Sequence, residues 1–333
     1  MKIPQTKRIK WIDCMKVIGI TFIVYGHFFS IASDYIYTFN VPLFFIISGF
    51  LSKSNESHKL FWKKTLYNLI IPLLLISSLN YILNTVELYY NDLTSFIDSP
   101  LTFIMKMSSG ILLGGVGSLW FVYTLILLKI ISHYIHKQVI LLVLLTISFS
   151  CAYIINNNDP ILYGRHIFHI PCAITNIFVA YPFYLVGIYT KKSRIIRDKK
   201  NFNKWDALII LVSCVIITIE GNISKPIYMY QCGYGNSIVL FFLCGIAGTI
   251  LIFYISKYLE RTSCTLIQTI STGTILILGF HLHLVQFITK CIPNRTLMDV
   301  TFSFIIVLLF VPVIQKCEIH FPYILGKLRI EKK

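Results

Sequence analysis

The sequence predicts an all-α polytopic membrane protein with about ten transmembrane helices and both termini in the cytoplasm. Three observations carry this. Of 333 residues, 56% are apolar and only 13% charged, where a soluble domain has about a quarter charged. Mean hydropathy is +0.73, and 25 Phe and 20 Tyr add more apolar surface than one core of this length can hide from water. Finally, apolar runs recur at lengths near the ~20 residues that cross hydrocarbon as a helix.

The runs have their cores near 12–31, 39–52, 66–86, 117–136, 138–156, 173–190, 206–220, 236–256, 266–289 and 298–316. The first carries Asp13, Lys16 and His27. It is followed by Asn40 and Pro42 and not by an A-x-A-like cleavage site, so it is expected to stay as a permanent helix. The second is short and contains Pro42 and Gly49, which predicts a broken or tilted helix buried among its neighbours. The remaining runs alternate with loops of unequal charge. Segments 1–10, 53–64, 129–137, 191–204, 257–261 and the C-terminal end from Lys316 hold 24 of the 30 Lys and Arg; the opposite loops hold Lys106, Arg165, Lys225, Lys290 and Arg295; Lys16 is left, inside the first span. Basic residues collect in cytoplasmic loops, which orients both termini inward. Residues 1–320 then form a single integral-membrane domain and 321–333 a basic cytoplasmic tail.

The net charge of +16 is therefore a topology signal, with a secondary use toward an anionic leaflet or an anionic cytosolic ligand, and nucleic acid is not an expected partner. Nine cysteines spread from Cys14 to Cys317 without a CxxC indicate neither a disulfide framework nor a zinc site. They read as small apolar fillers.

Polar groups within hydrocarbon mark sites or pathways, so Lys16 and His27 come first. Eleven residues apart on a helix, they share one face about 16 Å apart along its axis. Lys16 could equally snorkel to the inner headgroups or pair with Asp13 at i,i+3. A structural hydrogen bond from a buried imidazole is the alternative for His27. In FNVPLFFIISGFL, Ser48 and Gly49 suit close helix packing. No GxSxG elbow surrounds Ser48, so it is not read as a nucleophile.

Lys16, ten residues and His27, followed by FNVPLFFIISGFL at 39–51, resemble the membrane-bound acyltransferase-3 family, whose first helix carries Arg or Lys, ten residues and His. Leu119-Trp120-Phe121, AYPFYLVGIY at 180–189, YGNSIVLFFL at 234–243 and TILILGFH at 274–281 extend the resemblance over most of the chain. WIDCMKVIGITFIVYGH and the YGN segment are most similar to the fucose 4-O-acetylase-like branch. The resemblance implies a bacterial inner-membrane O-acetyltransferase that moves acetyl from cytosolic acetyl-CoA to a hydroxyl of a cell-surface saccharide or its lipid-linked, polyprenyl-type precursor. One departure is that family members often place an Arg shortly before the proline of the third span, where this chain has Lys63 and Lys64 ahead of Pro72. Lysines hold phosphate as point charges without Arg's bidentate fork.

An O-acetylation needs a hydroxyl made nucleophilic and a polarised thioester held within attacking distance. The reading assigns His27 as general base; direct transfer and an acetyl-imidazole relay both remain open. Lys16, catalytic as well as donor-binding, is assigned with Lys63 and Lys64 to the CoA phosphates, although a positive-inside stop signal also explains the pair. Acceptor contacts are assigned to Trp120, as a stacking platform or an interfacial belt residue, to Glu220 and Asn236 flanking the loop from Tyr228 to Tyr234, and to His281, whose other reading is a structural hydrogen bond. Asp159, Arg165, His166 and His169 gather in one outer loop but lack a recognised ligand spacing, and no metal is expected. The rival reading is a secondary transporter or flippase for a lipid-linked saccharide, against which stands the absence of visible repeat between the chain's halves.

Overall fold

The computed structural model describes residues 8–53, 56–91, 94, 99–102, 117–135, 138–157, 172–193, 202–223, 227–262, 264–293 and 298–327. Within these the helices run α1 Lys10–Gly26, α2 Ser33–Tyr37, α3 Asn40–Leu51, α4 His58–Thr65, α5 Ile71–Tyr90, α6 Trp120–Tyr134, α7 Gln138–Asn157, α8 Cys172–Thr175, α9 Ile177–Lys192, α10 Lys204–Ile223, α11 Ile238–Leu259, α12 Thr265–Thr272, α13 Thr274–Cys291 and α14 Asp299–His320. Among the described residues no strand forms; a single bridge pairs Tyr228 with Gly233.

Among the described residues six stretches are long and apolar enough to cross a membrane: Ser33–Leu51, His58–Tyr90, Lys204–Asn222, Ile238–Thr262, Thr274–Cys291 and Asp299–His320. Trp120–Tyr134 and Ile140–Asn156 are shorter apolar helices. Leu75, Ile82, Leu142, Leu211 and Phe304 point outward from α5, α7, α10 and α14, an apolar belt that water would penalise and lipid tails accept. The chain is a multi-pass membrane protein.

Hydropathy misplaces several helix limits, each for a local reason. Pro42 does not break the second span: it sits in the first turn of α3, where a missing N–H costs nothing. The run 266–289 is two helices, because the Gly273 N–H is captured by the carbonyls of Thr269 and Ile270 and α13 starts anew. Ile314 of α14 occupies the space beside Gly273, 2.2 Å from where a Cβ would lie. Between α4 and α5 the turn Leu66–Ile70 widens into a π-helix just before Pro72, whose ring crowds the carbonyl four residues back. Part of the expected tail also folds: Pro322–Leu325 forms a 3-10 turn, Leu325 is 6% exposed, and Gly326 at φ +67 presses on the Asn68 backbone.

The arrangement centres on α1. Its buried residues, Trp11 to Met15, Gly19 to Thr21 and Ile23 to Gly26, cover every face, the pattern of a helix enclosed by protein. α3, α11, α12, α13 and α14 pack around it. Lys16 and His27 therefore stand inside the bundle and not on its lipid surface.

Candidate active site

A cavity of about 1480 Å³ runs along α1, lined by Lys16, His27 and Trp120 among others. One end is basic. Arg8, Lys16, Lys53, Lys64, Lys129, Lys191 and Lys327 line it, against Asp13 and Glu56 as the carboxylates among the described lining residues.

Asp13 does not pair with Lys16. Arg8 Nε donates to one of its oxygens and Ser271 Oγ to the other, each at 2.6 Å, while Arg8 Nη2 donates to the Gln268 carbonyl at 2.6 Å. This network ties the start of α1 to α12 and leaves Lys16 without an ion pair among the described residues. Glu56 is paired with Lys64, and Lys129 lies within electrostatic reach of Glu56, Lys64 and Lys16. The local charge is thus cationic in excess: Arg8, Lys53, Lys191 and Lys327, the last paired with Glu318, are exposed at the mouth, and Lys16, Lys64 and Lys129 lie deeper, where solvent screens less. Lys191 donates to the Ser52 carbonyl at the same mouth.

About three helix turns along α1, His27 closes the helix as its C-cap. Its ring centre lies 5.0 Å from that of His281 and 6.4 Å from that of Tyr37. His281 is 0% exposed and is not part of the lining. Its Nδ1 is 3.0 Å from the carbonyls of both Ile277 and Leu278. Carbonyls only accept, so Nδ1 carries the proton, and Nε2 is left as an acceptor with no partner among the described residues. The Leu278 carbonyl also accepts from Ser118 Oγ, which holds the start of α6 against α13 and keeps adjacent Trp120, buried and lining the cavity, away from lipid. Two residues on, His283 does line the cavity; its Nε2 donates to Asn80 Oδ1 at 3.0 Å, and Asn80 Nδ2 donates to the Gly279 carbonyl at 2.9 Å.

The far end is aromatic and uncharged, with Tyr37, Tyr228 and Tyr230 in the wall. The Tyr37 hydroxyl donates to the Gly26 carbonyl at 2.7 Å. The 228–234 turn is held by Asn176, whose Nδ2 donates to the Met229 carbonyl at 2.8 Å and whose Oδ1 accepts from the Tyr234 hydroxyl at 2.9 Å.

Lys16, His27, Lys64 and Trp120 thus come together on one cavity, with His281 behind His27. Lys63, Glu220 and Asn236 are not in its described lining. Lys63 lies one residue, 100° of helix, from Lys64; Glu220 is buried on α10 and Asn236 is exposed. Asp159, Arg165, His166 and His169 fall outside the described residues, and within those no group of three His, Cys, Asp or Glu side chains could hold a metal. Lys129, His283 and Tyr37 escaped the sequence reading. Lys129 had a signal in TLILLKIISHY, a lysine flanked on both sides by apolar residues.

No curated protein and no solved structure matches the chain. The acyltransferase-3 description, an acyltransferase domain, matches residues 9–315, which includes the cation, both central histidines and the helices that enclose them. With that match over nearly its whole length, the chain belongs to the acyltransferase-3 family and is a membrane acyltransferase.

Proposed function

We propose that the protein is an O-acetyltransferase of the fucose 4-O-acetylase-like branch, seated in a bacterial inner membrane, which moves acetyl from cytosolic acetyl-CoA to a hydroxyl of a cell-surface saccharide or its polyprenyl-linked precursor. The observation that carries this reading is one cavity with a cationic end and, at its middle, the His27 imidazole backed by His281. The basic end faces the cytosol, as the distribution of Lys and Arg favours. Lys16, Lys64 and Lys129 hold the diphosphate and 3'-phosphate of CoA, and the pantetheine arm reaches along α1 to His27.

There the unprotonated nitrogen of His27 accepts the hydroxyl proton as the acceptor oxygen bonds to the thioester carbon. The C–S bond breaks, the thiolate takes the proton back from the imidazolium, and ester and free CoA result. His281 acts through His27: its Nε2, unpaired among the described residues and in a ring 5.0 Å from that of His27, is the acceptor available to a His27 N–H during transfer, and taking up that N–H directs the other nitrogen's lone pair into the cavity.

Purified protein in liposomes with labelled acetyl-CoA and a saccharide panel tests the reading: label should appear on sugar. Saccharide crossing the bilayer without any covalent product would overturn it. Two variants probe the assignments. Lys16→Ala and Lys129→Ala should each raise donor KM about tenfold, the size of one charged hydrogen bond at ~1.5 kcal/mol, with kcat little changed; unchanged KM would remove these lysines from donor binding. His281→Ala should lower kcat roughly fivefold, the worth of a ~1 kcal/mol neutral hydrogen bond, and leave donor KM alone. A change in KM with constant kcat would contradict its role in orienting His27.

A further inference from the structure

Beyond His27, away from the lysines, the cavity has two walls, and neither carries a charged group among the described lining residues. On one, Asn84 of α5 with His283 and Gln286 of α13 lines the space. Asn84 stands one helical turn beyond Asn80, and Gln286 nearly one turn beyond His283, so the four residues form a polar seam where α5 meets α13. Asn80 is consumed by His283 and the Gly279 carbonyl. The amides of Asn84 and Gln286 bond to no described residue. Since Asn80 takes the His283 Nε2 proton, Nδ1 of that ring is an acceptor in its neutral form.

The other wall is a run of tyrosines that starts at the reactive ring. Tyr37 lies 6.4 Å from His27, Tyr228 6.0 Å from Tyr37, and Tyr230 6.0 Å from Tyr228, centre to centre. Flat aromatic faces and carboxamides lining one cavity suit a pyranose, whose C–H face packs on rings while adjacent hydroxyls bond to amides. A carboxylate on the sugar would meet no cation among the described lining of these walls, while Asp34 and Glu87 lie within electrostatic reach of Tyr37 and His283, so it would lose hydration without return.

Resting on the transferase reading above, we infer that Asn84, His283 and Gln286 with Tyr37, Tyr228 and Tyr230 form the acceptor subsite, and that it takes a pyranose without an acidic group. The test uses the full chain in liposomes with labelled acetyl-CoA and, as acceptors, methyl glycosides of a neutral hexose, a 6-deoxyhexose and a hexuronic acid. The neutral glycosides should be acetylated and the uronate rejected by at least tenfold in kcat/KM. Asn84→Ala and Gln286→Met should each raise acceptor KM about tenfold, with donor KM and thermal melting unchanged, which separates loss of binding from loss of folding. Preference for the uronate, or wild-type acceptor KM in both folded variants, would overturn this subsite while leaving the transferase reading intact. No label on any sugar with wild-type protein would bring down both.

Discussion

His27→Ala should abolish most transfer, lowering kcat by about 10²- to 10⁴-fold, the usual contribution of a positioned general base, with donor KM close to wild type. The split follows from geometry. The cations assigned to the donor sit about three helix turns away, and Asp13, which fixes the start of α1, is held by Arg8 and Ser271 and not by anything near His27. The fold should survive. His27 has ordinary right-handed dihedrals, φ −73 and ψ −5, which alanine adopts freely, and its backbone N–H still reaches the Ile23 carbonyl at 3.3 Å. The measurement is label on sugar per unit of protein, with melting in detergent as control. Equal label from wild type and variant would eliminate His27 as the base. Acid-quenched protein retaining label on His27 would instead select the acetyl-imidazole route over direct transfer.

How much of this was legible in the sequence depended on whether a residue's chemistry or its orientation mattered. Lys16 and His27 stood out because charge and imidazole in an apolar run are costly wherever they point, and their eleven-residue spacing fixes a shared face. Lys129 did not, because a basic residue near a span end is already explained by topology; only the packing of α6 against α3 and the widened turn after α4 shows that it turns inward. Asn84 and Gln286 are single amides in apolar helices, too weak a signal until α5 and α13 are seen side by side. Glu220 and Asn236 show the opposite: carboxylate and amide near a loop suggest sugar contacts, yet neither lies on the described cavity wall. The break at Gly273 was passed over because Ser271-Thr272-Gly273-Thr274 puts neither charge nor proline between the apolar stretches on either side, and the closeness of Ile314 from another helix is a tertiary contact.

The largest structural effect is expected at the seam between α3 and α9. A Cβ on Gly49 would lie 2.0 Å from the Tyr184 carbonyl oxygen, and a Cβ on Gly187 would lie 2.0 Å from the Ile46 carbonyl oxygen and 2.7 Å from the Phe50 nitrogen. Optimal contacts between such atoms are roughly 3.5 Å, and the obstacles are backbone, so no rotamer change relieves them. The helices must part, which forfeits packing along their whole contact, as in small-residue interfaces of membrane helices generally. Gly49→Ala and Gly187→Ala should therefore each cost more than the ~1–3 kcal/mol typical of an overpacked core, seen as lost yield or sharply lower melting in detergent. Gly19→Ala is the graded comparison: its Cβ would meet the ends of Leu43 and Phe44 at 2.8 and 2.9 Å, side chains that can swing aside, and its penalty should be smaller. The seam also matters to chemistry, because α3 brings Asn40, Phe44 and Ser48 to the cavity and the last turn of α9 brings Lys191 to its basic rim. Any Gly49 variant that still folds should show raised donor KM as that rim shifts. Wild-type melting and activity in both alanine variants would mean that the two helices do not approach this closely, and the cavity's wall on that side would have to be redrawn.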